Sequence, residues 1–384
     1  MASDLLRNRD GGHARVGFVE LFFDLVFVFA ITQISHTLLE HLTWMGALQA
    51  AMMLGAIWWA WIDTSWITNW LDPERAPVRI MLFALMAAGL VLSTSLPGAF
   101  GDKGLIFACA FAALQVGRGL FTLWAVRADP VLRPNIERIC VWAIGGAVFW
   151  IAGGMAEGQA RLTIWLIALL AEFSAPALYF WVPGLGRSTT ADWQVEGGHI
   201  AERVGLFIII CLGETLLITG ATFAGLIWTA PVYLAFATAF LSTLAMWWIY
   251  FSASHEAASS EIVHSDDPGR MARAAYSYGP ILIVAGIVVT AVGDELMLAH
   301  PEGYVSPEAA AVLIGGPLLF MVGSLTAKYA VWGKWSPVRM AGVVGLAALA
   351  LIVPYVTPLG LAASATAVLI AVAGWETWML HRGR

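Results

Sequence analysis

Apolar runs of about 18–25 residues recur along the whole chain, and each is long enough to cross roughly 30 Å of hydrocarbon. The first is "GFVELFFDLVFVFAITQIS" at 17–35. No water reaches the backbone in that environment, so each run must satisfy its own N–H and C=O groups, which a helix does. The alternation expected of a membrane β-barrel strand is absent. Composition agrees: 60% of the 384 residues are hydrophobic, 12% are charged, and the mean hydropathy is +0.78. A soluble domain of this size would need far more charge on its surface. The polar start "MASDLLRNRDGGHARVG" has no signal-peptide core, so the first apolar run is expected to be retained as a membrane helix.

The pattern predicts an all-α polytopic membrane bundle of about twelve spans. They lie at 17–39, 44–70, 78–99, 104–126, 137–156, 161–182, 200–225, 231–253, 274–298, 308–330, 337–354 and 358–380. "VPYVTPLG" either separates the last two or kinks one longer segment. Positive charge sets the expected orientation. With both ends cytoplasmic, seventeen basic residues fall on the inner side, among them Arg7, Arg15, Arg138, Arg187, Arg203, Lys328 and Arg339. Only Lys103 and Arg161 fall outside, and Arg118 lies within a span. The expected location is a bacterial cytoplasmic (inner) membrane, with cytoplasmic tails at 1–16 and 381–384.

Short features repeat in order. "WWAWID" (58–63) precedes "DPERAPVR" (72–79), and "WWIYFS" (247–252) precedes "DDPGRMAR" (266–273); "QVGRG" (115–119) and "MVGSL" (321–325) occupy the fourth span of each half. Two six-helix repeats, 17–183 and 200–380, joined by a cytoplasmic linker at 184–199, fit this order. An even number of spans per half makes them parallel repeats. Chance matching in a Trp-rich chain is the plainer alternative.

Acids inside the spans carry the chemistry. Glu20 and Asp24 are one turn apart on one helix face. Asp24 lies about 10 Å into the membrane at 1.5 Å per residue. An ionised group there costs several kcal/mol unless paired, hydrated or protonated (about 3 on insertion scales). Gln33 and His36 form a second polar face nearly opposite. Asp63, Glu172, Glu202 and Glu214 lie on other spans, and Arg118 is the one deep cation. Arg118 reads either as a docking pair with Asp24 or Asp63, or as a counter-charge on a pathway. The tryptophans Trp59, Trp66 and Trp70 beside Asp63 suit packing, or an organic cation held against their faces.

Other chemistries find no support. Cys109, Cys140 and Cys211 lie within apolar spans and form no C-x-x-C, so neither a disulfide framework nor a metal site is expected. "SHEAASSEIVHSDD" (254–267) lacks the spacing of a zinc helix and reads as a solvated acidic loop. No phosphate-cradling loop or nucleophile elbow occurs, so no cofactor and no enzymatic activity are expected. Basic residues are too dispersed for nucleic-acid binding. The expected partners are the lipid bilayer and a monovalent cation, proton or small solute; a homo-oligomer is compatible with the pattern.

"VELFFDLVFVFAITQISHTL" (19–38) and "ERVGLFIIICLGETLL" (202–217) resemble the two signatures of the bacterial low-temperature-requirement A family of integral membrane proteins. Glu20, Asp24, Gln33, His36, Glu202, Arg203 and Glu214 fall on those signatures. In addition, "FFDLVFVFAIT" (22–32) is similar to the F-S-D-G-V-F-A-I-A-I-T helix of the two-repeat endolysosomal potassium channels. That resemblance implies pore-lining first helices, with Phe29 at the constriction. The motif's serine is Phe23 here, its arginine position is Phe18, and Gly205 stands where the second half would carry an aspartate. Arg15 and Arg203 are the candidates to replace the missing arginine, which spacing alone does not establish. The sequence thus points to a transporter or channel. An intramembrane lipid-handling or enzymatic protein, and a structural or regulatory one, remain open alternatives.

Overall fold

The computed structural model describes residues 5–7, 15–189, 196–251 and 273–382. Twelve α-helices account for nearly all of them. They are α1 (Phe18–Glu40), α2 (Trp44–Trp70), α3 (Ala76–Ser95), α4 (Gly104–Ala125), α5 (Leu132–Met155) and α6 (Gly158–Ser174), followed by α7 (Gly197–Ala224), α8 (Ala230–Phe251), α9 (Gly279–Ala299), α10 (Pro307–Trp332), α11 (Pro337–Ala348) and α12 (Pro358–Arg382). Among the described residues the only extended pairings are two isolated bridges, Leu6 with Leu71 and Val182 with Gly186.

Ten of these helices are long and apolar enough to cross a membrane, so the protein is a multi-pass helical bundle. The two shorter ones differ from the predicted lengths for local reasons. α6 stops at Ser174, ahead of Pro176, which has no N–H to continue the ladder. The chain then turns through left-handed Tyr179 and Phe180, so the predicted end at 182 is too late. α11 has 12 residues and passes through short 3₁₀ turns, 349–351 and 353–355, before α12. The final apolar stretch is therefore two helices. The acidic stretch at 254–267 and the second D-P-x-R turn lie outside the described residues.

Two compact units emerge, one of Met1–Thr37 with Trp44–Arg203, the other of Leu38–Thr43 with Val204–Arg384. The division falls inside α7, whereas the polar linker is at 184–199. In the first unit α3 packs on α4, α4 on α5, α5 on α6 and α2 on both α4 and α6. Phe107, Phe111, Trp150 and Trp165 fill the seam of α4, α5 and α6, with Phe111 and Trp150 centroids 4.6 Å apart. Phe18, Phe22, Leu25 and Phe29 form an exposed apolar stripe along α1, the face a lipid-facing helix presents.

In the second unit, α9 and α10 approach through glycines. Gly286 and Gly293 face α10, while Gly316 and Gly323 face α9. A Cβ on Gly286 would sit 2.6 Å from Phe320 Cα, and one on Gly323 would sit 2.6 Å from Ile283 N. Ser306 and Ser336 begin α10 and α11 as N-caps before Pro307 and Pro337, a sequence-local start signal. Gly286→Val would force the two backbones apart. It is expected to cost about 3 kcal/mol in detergent-titrated unfolding, an overpacking penalty with no flexible neighbour to yield; wild-type stability would contradict the close approach.

Candidate functional site

Glu20 occupies the third position of α1 and reaches back to the helix start, where its Oε2 accepts from Gly17 N at 2.8 Å. This is the glutamate half of a capping box, Gly17 having no side chain to complete it, and it fixes the carboxylate at the first turn. Arg7 Nη2 donates to the same oxygen at 2.9 Å. On the other oxygen, Oε1, converge His199 Nε2 at 3.1 Å and Arg203 Nη1 at 3.4 Å. One turn deeper, Asp24 Oδ1 accepts from Trp61 Nε1 at 2.7 Å and from Arg203 Nη2.

The arrangement is a ladder. Glu20 and Asp24, four apart on α1, meet His199 and Arg203, four apart on α7. α2 supplies the rest of the wall. Thr68 Oγ1 accepts from Arg203 Nη1 at 2.8 Å, and the Thr68 carbonyl accepts from Arg7 Nε at 2.7 Å. The rings of Trp61 and Phe23 lie 5.7 and 6.0 Å from the Arg203 guanidinium.

Two backbone devices hold the ladder in register. Residues 5–7 bridge to the end of α2, through Arg7 N to Trp70 O and Asp72 N to Leu5 O, both 2.9 Å. The Asn69 side chain pairs with both main-chain groups of Glu196, at 2.9 and 3.1 Å, and so sets where α7 begins. Glu20, Asp24, His199 and Arg203 are 0% exposed on their side chains, and Arg7 is 11% exposed. Two carboxylates thus face two guanidiniums out of reach of solvent. The balance leaves gaps: Asp24 Oδ2 and Arg203 Nε have no hydrogen-bond partner.

The remaining acids separate into docked and open. Arg118 Nη2 donates to Asp63 Oδ2 at 3.0 Å and to Gln115 Oε1 at 2.6 Å, while Nη1 reaches Ala60 O and Thr64 Oγ1. Of the two candidate partners, Arg118 takes Asp63, and the pair docks α4 on α2. Trp59 stacks on Phe173 at 4.4 Å, and Trp66 and Trp70 are buried. Glu172 accepts from Trp150 Nε1 at 3.1 Å, and its Oε2 has no partner.

Gln33 is half-buried and His36 exposed, both on the α1 stripe that carries Phe29, away from the Glu20–Asp24 face. Glu202 is half-buried and neighbours Arg203 in sequence; Glu214 is half-buried in the second unit. Arg15 is exposed, so of the two candidate replacements for the channel motif's arginine it is Arg203 that reaches Asp24.

Arg7, Trp61, Thr68, Asn69 and His199 complete the cluster without having stood out in the sequence. Only His199 had a usable signal, its four-residue spacing from Arg203. In the second unit, Arg339 and Glu376 form a doubly bonded pair at 2.9 and 3.0 Å, joined by Lys328 Nζ at 3.1 Å.

Comparison with known proteins adds an outside measure. The family model described as bacterial low temperature requirement A protein matches residues 15–374. An uncharacterized protein of Rhizobium meliloti (strain 1021) is 39% identical over 374 residues, covering 97% of this chain and 91% of its own length. No solved structure matches. With a family match from just before α1 to within α12, and a relative 39% identical over 97% of the chain, the chain belongs to the bacterial low temperature requirement A family.

Proposed function

We propose that this protein is a transporter or channel that moves a cation, proton or small solute through the membrane, with Asp24 as the group the permeating charge meets. The observation that supports this is the incomplete pairing of Asp24 with Arg203. A pair whose only task is docking is expected to be saturated, because each buried unmade hydrogen bond costs about 1–3 kcal/mol. Arg339 and Glu376 meet that expectation: both carboxylate oxygens and all three guanidinium nitrogens are engaged. Asp24 and Arg203, although more deeply buried, leave Asp24 Oδ2 and Arg203 Nε unused. A carboxylate with a free oxygen can exchange its counter-charge, taking a proton or a cation while Arg203 keeps Glu20 and Thr68. This is the behaviour intramembrane acids show in transport pathways.

On this reading the protein is not an enzyme. It sits in the bacterial inner membrane with both termini cytoplasmic, and the buried groups Glu20 and His199, with the partly exposed Arg7, lie on the cytoplasmic side of Asp24. Asp63–Arg118 serves as structure.

The test is ion flux into proteoliposomes, with potassium, sodium and proton gradients imposed one at a time on wild type and Asp24→Asn. The expected result is flux under at least one gradient that falls at least tenfold in Asp24→Asn. Size-exclusion profiles should be unchanged, since the amide is isosteric and keeps the Trp61 bond. No wild-type flux under any gradient, or equal flux in the variant, would overturn the proposal.

A further inference from the structure

Outside that cluster, the second unit holds a carboxyl that pairs with no cation among the described residues. Asp294 lies on α9, five residues before the helix ends and about 8 Å in along the axis. It is 4% exposed, and its Oδ2 has no hydrogen-bond partner. One turn earlier, Thr290 is 5% exposed, and its hydroxyl is also without a partner. Several buried threonines in these helices return their hydroxyl to the preceding turn, as Thr64 does to Ala60 O at 2.8 Å and Thr243 to Ala239 O at 3.2 Å. Thr290 does not, and packs instead on α10, where a Cβ on Gly316 would lie 2.5 Å from its Oγ1.

Both side chains line one cavity of about 10 Å³, room for a single water-sized occupant. Ser242 from α8 and Thr366 from α12 also line it, as do Leu313 and Pro317 from α10. Pro317 has no N–H, so the Leu313 carbonyl loses its usual donor inside the helix. Four helices therefore bring a carboxylate and three hydroxyl-bearing side chains to one cavity, which Leu313, the residue whose carbonyl Pro317 frees, also lines.

We propose that Asp294, Thr290, Ser242, Thr366 and the Leu313 carbonyl form a buried binding site for one sodium ion. The donor set selects the ion. Every group is oxygen, which suits a hard cation and disfavours zinc, copper or nickel, which prefer nitrogen and sulfur. A single carboxylate balances a single positive charge, whereas calcium sites gather more carboxylates. The cavity is too small for an ion that keeps its water shell, and its oxygens must replace that shell. α10 runs unbroken through Pro317, so what it can offer is the one carbonyl the proline leaves without its helical donor, a main-chain oxygen of the kind that coordinates cations at membrane depth. The site lies wholly within the second unit and does not depend on Asp24, so binding can be measured whether or not the protein conducts.

The full-length protein in detergent would be heated in sodium, potassium and choline chloride at equal ionic strength, with intrinsic tryptophan fluorescence as the readout. The expected result is a saturable rise in Tm with sodium that potassium and choline do not reproduce. Asp294→Asn should abolish that rise while unfolding no lower than sodium-free wild type, because it removes an uncompensated buried acid. Thr290→Val, a milder change, should shift the sodium midpoint about tenfold upward, and bound ²²Na should fall in parallel. Equal responses to all three salts would overturn the proposal. So would a response to falling pH alone that vanishes in Asp294→Asn, which would identify the occupant as a proton.

Discussion

Arg203→Leu is expected to be the most damaging single substitution in the first unit, costing about 3–5 kcal/mol. The guanidinium is fully buried and touches both Glu20 and Asp24. Its loss leaves two carboxylates against Arg7 alone, with no water to take up the excess charge. Arg203→Lys should recover only part of the loss. An ammonium is a point charge with three donors and cannot span Glu20, Asp24 and Thr68 as the fork does. The double variant Arg203→Leu with Asp24→Leu should be more stable than Arg203→Leu alone, since removing both charges avoids stranding either. Detergent-titrated unfolding would measure all three. A single variant as stable as wild type would show that the ladder is not an ion-pair network.

Arg161→Met ranks second, at about 3 kcal/mol, for a different reason. Arg161 bonds no acid. Its side chain donates to the carbonyls of Gly153 and Ala156 at the end of α5, and to those of Ala99 and Gly101 in the turn after α3. These are acceptors that helix ends and turns leave open, and the side chain is too buried for water to replace it. A Cβ on Gly104 would collide with the guanidinium, so α4 is shaped around it. Lys103, exposed nearby, supplies the control: Lys103→Met should change stability by less than about 0.5 kcal/mol. Similar losses for the two would remove the clamp from the account.

This contrast bears on what the sequence can reveal. Period and polarity read Lys103 and Arg161 alike, as the two basic residues of outer loops. The difference lies in α6 starting at Gly158, three residues before Arg161, which draws that side chain into the bundle. Arg138 and Arg339 likewise sit inside helices, hydrogen-bonded and buried. Span positions were legible because apolar length is a local property. So was the Glu20–Asp24 face, because four residues make one turn.

The partners were not legible. Arg7 bonds Glu20 across 13 residues and Arg203 across 183. No periodicity carries such information, although the matched spacing of His199 and Arg203 hints at it. Asp294 escapes notice for the opposite reason: one acid near a helix end reads as interfacial, and only the packing of α8, α10 and α12 around it closes it off.

The bridge between residues 5–7 and the end of α2 changes how this protein should be handled at the bench. Residues 5–7 place Arg7 on a carboxylate that no solvent reaches. A chain trimmed back to the first apolar run would lose Arg7 and so alter the electrostatics of Glu20 before any experiment began.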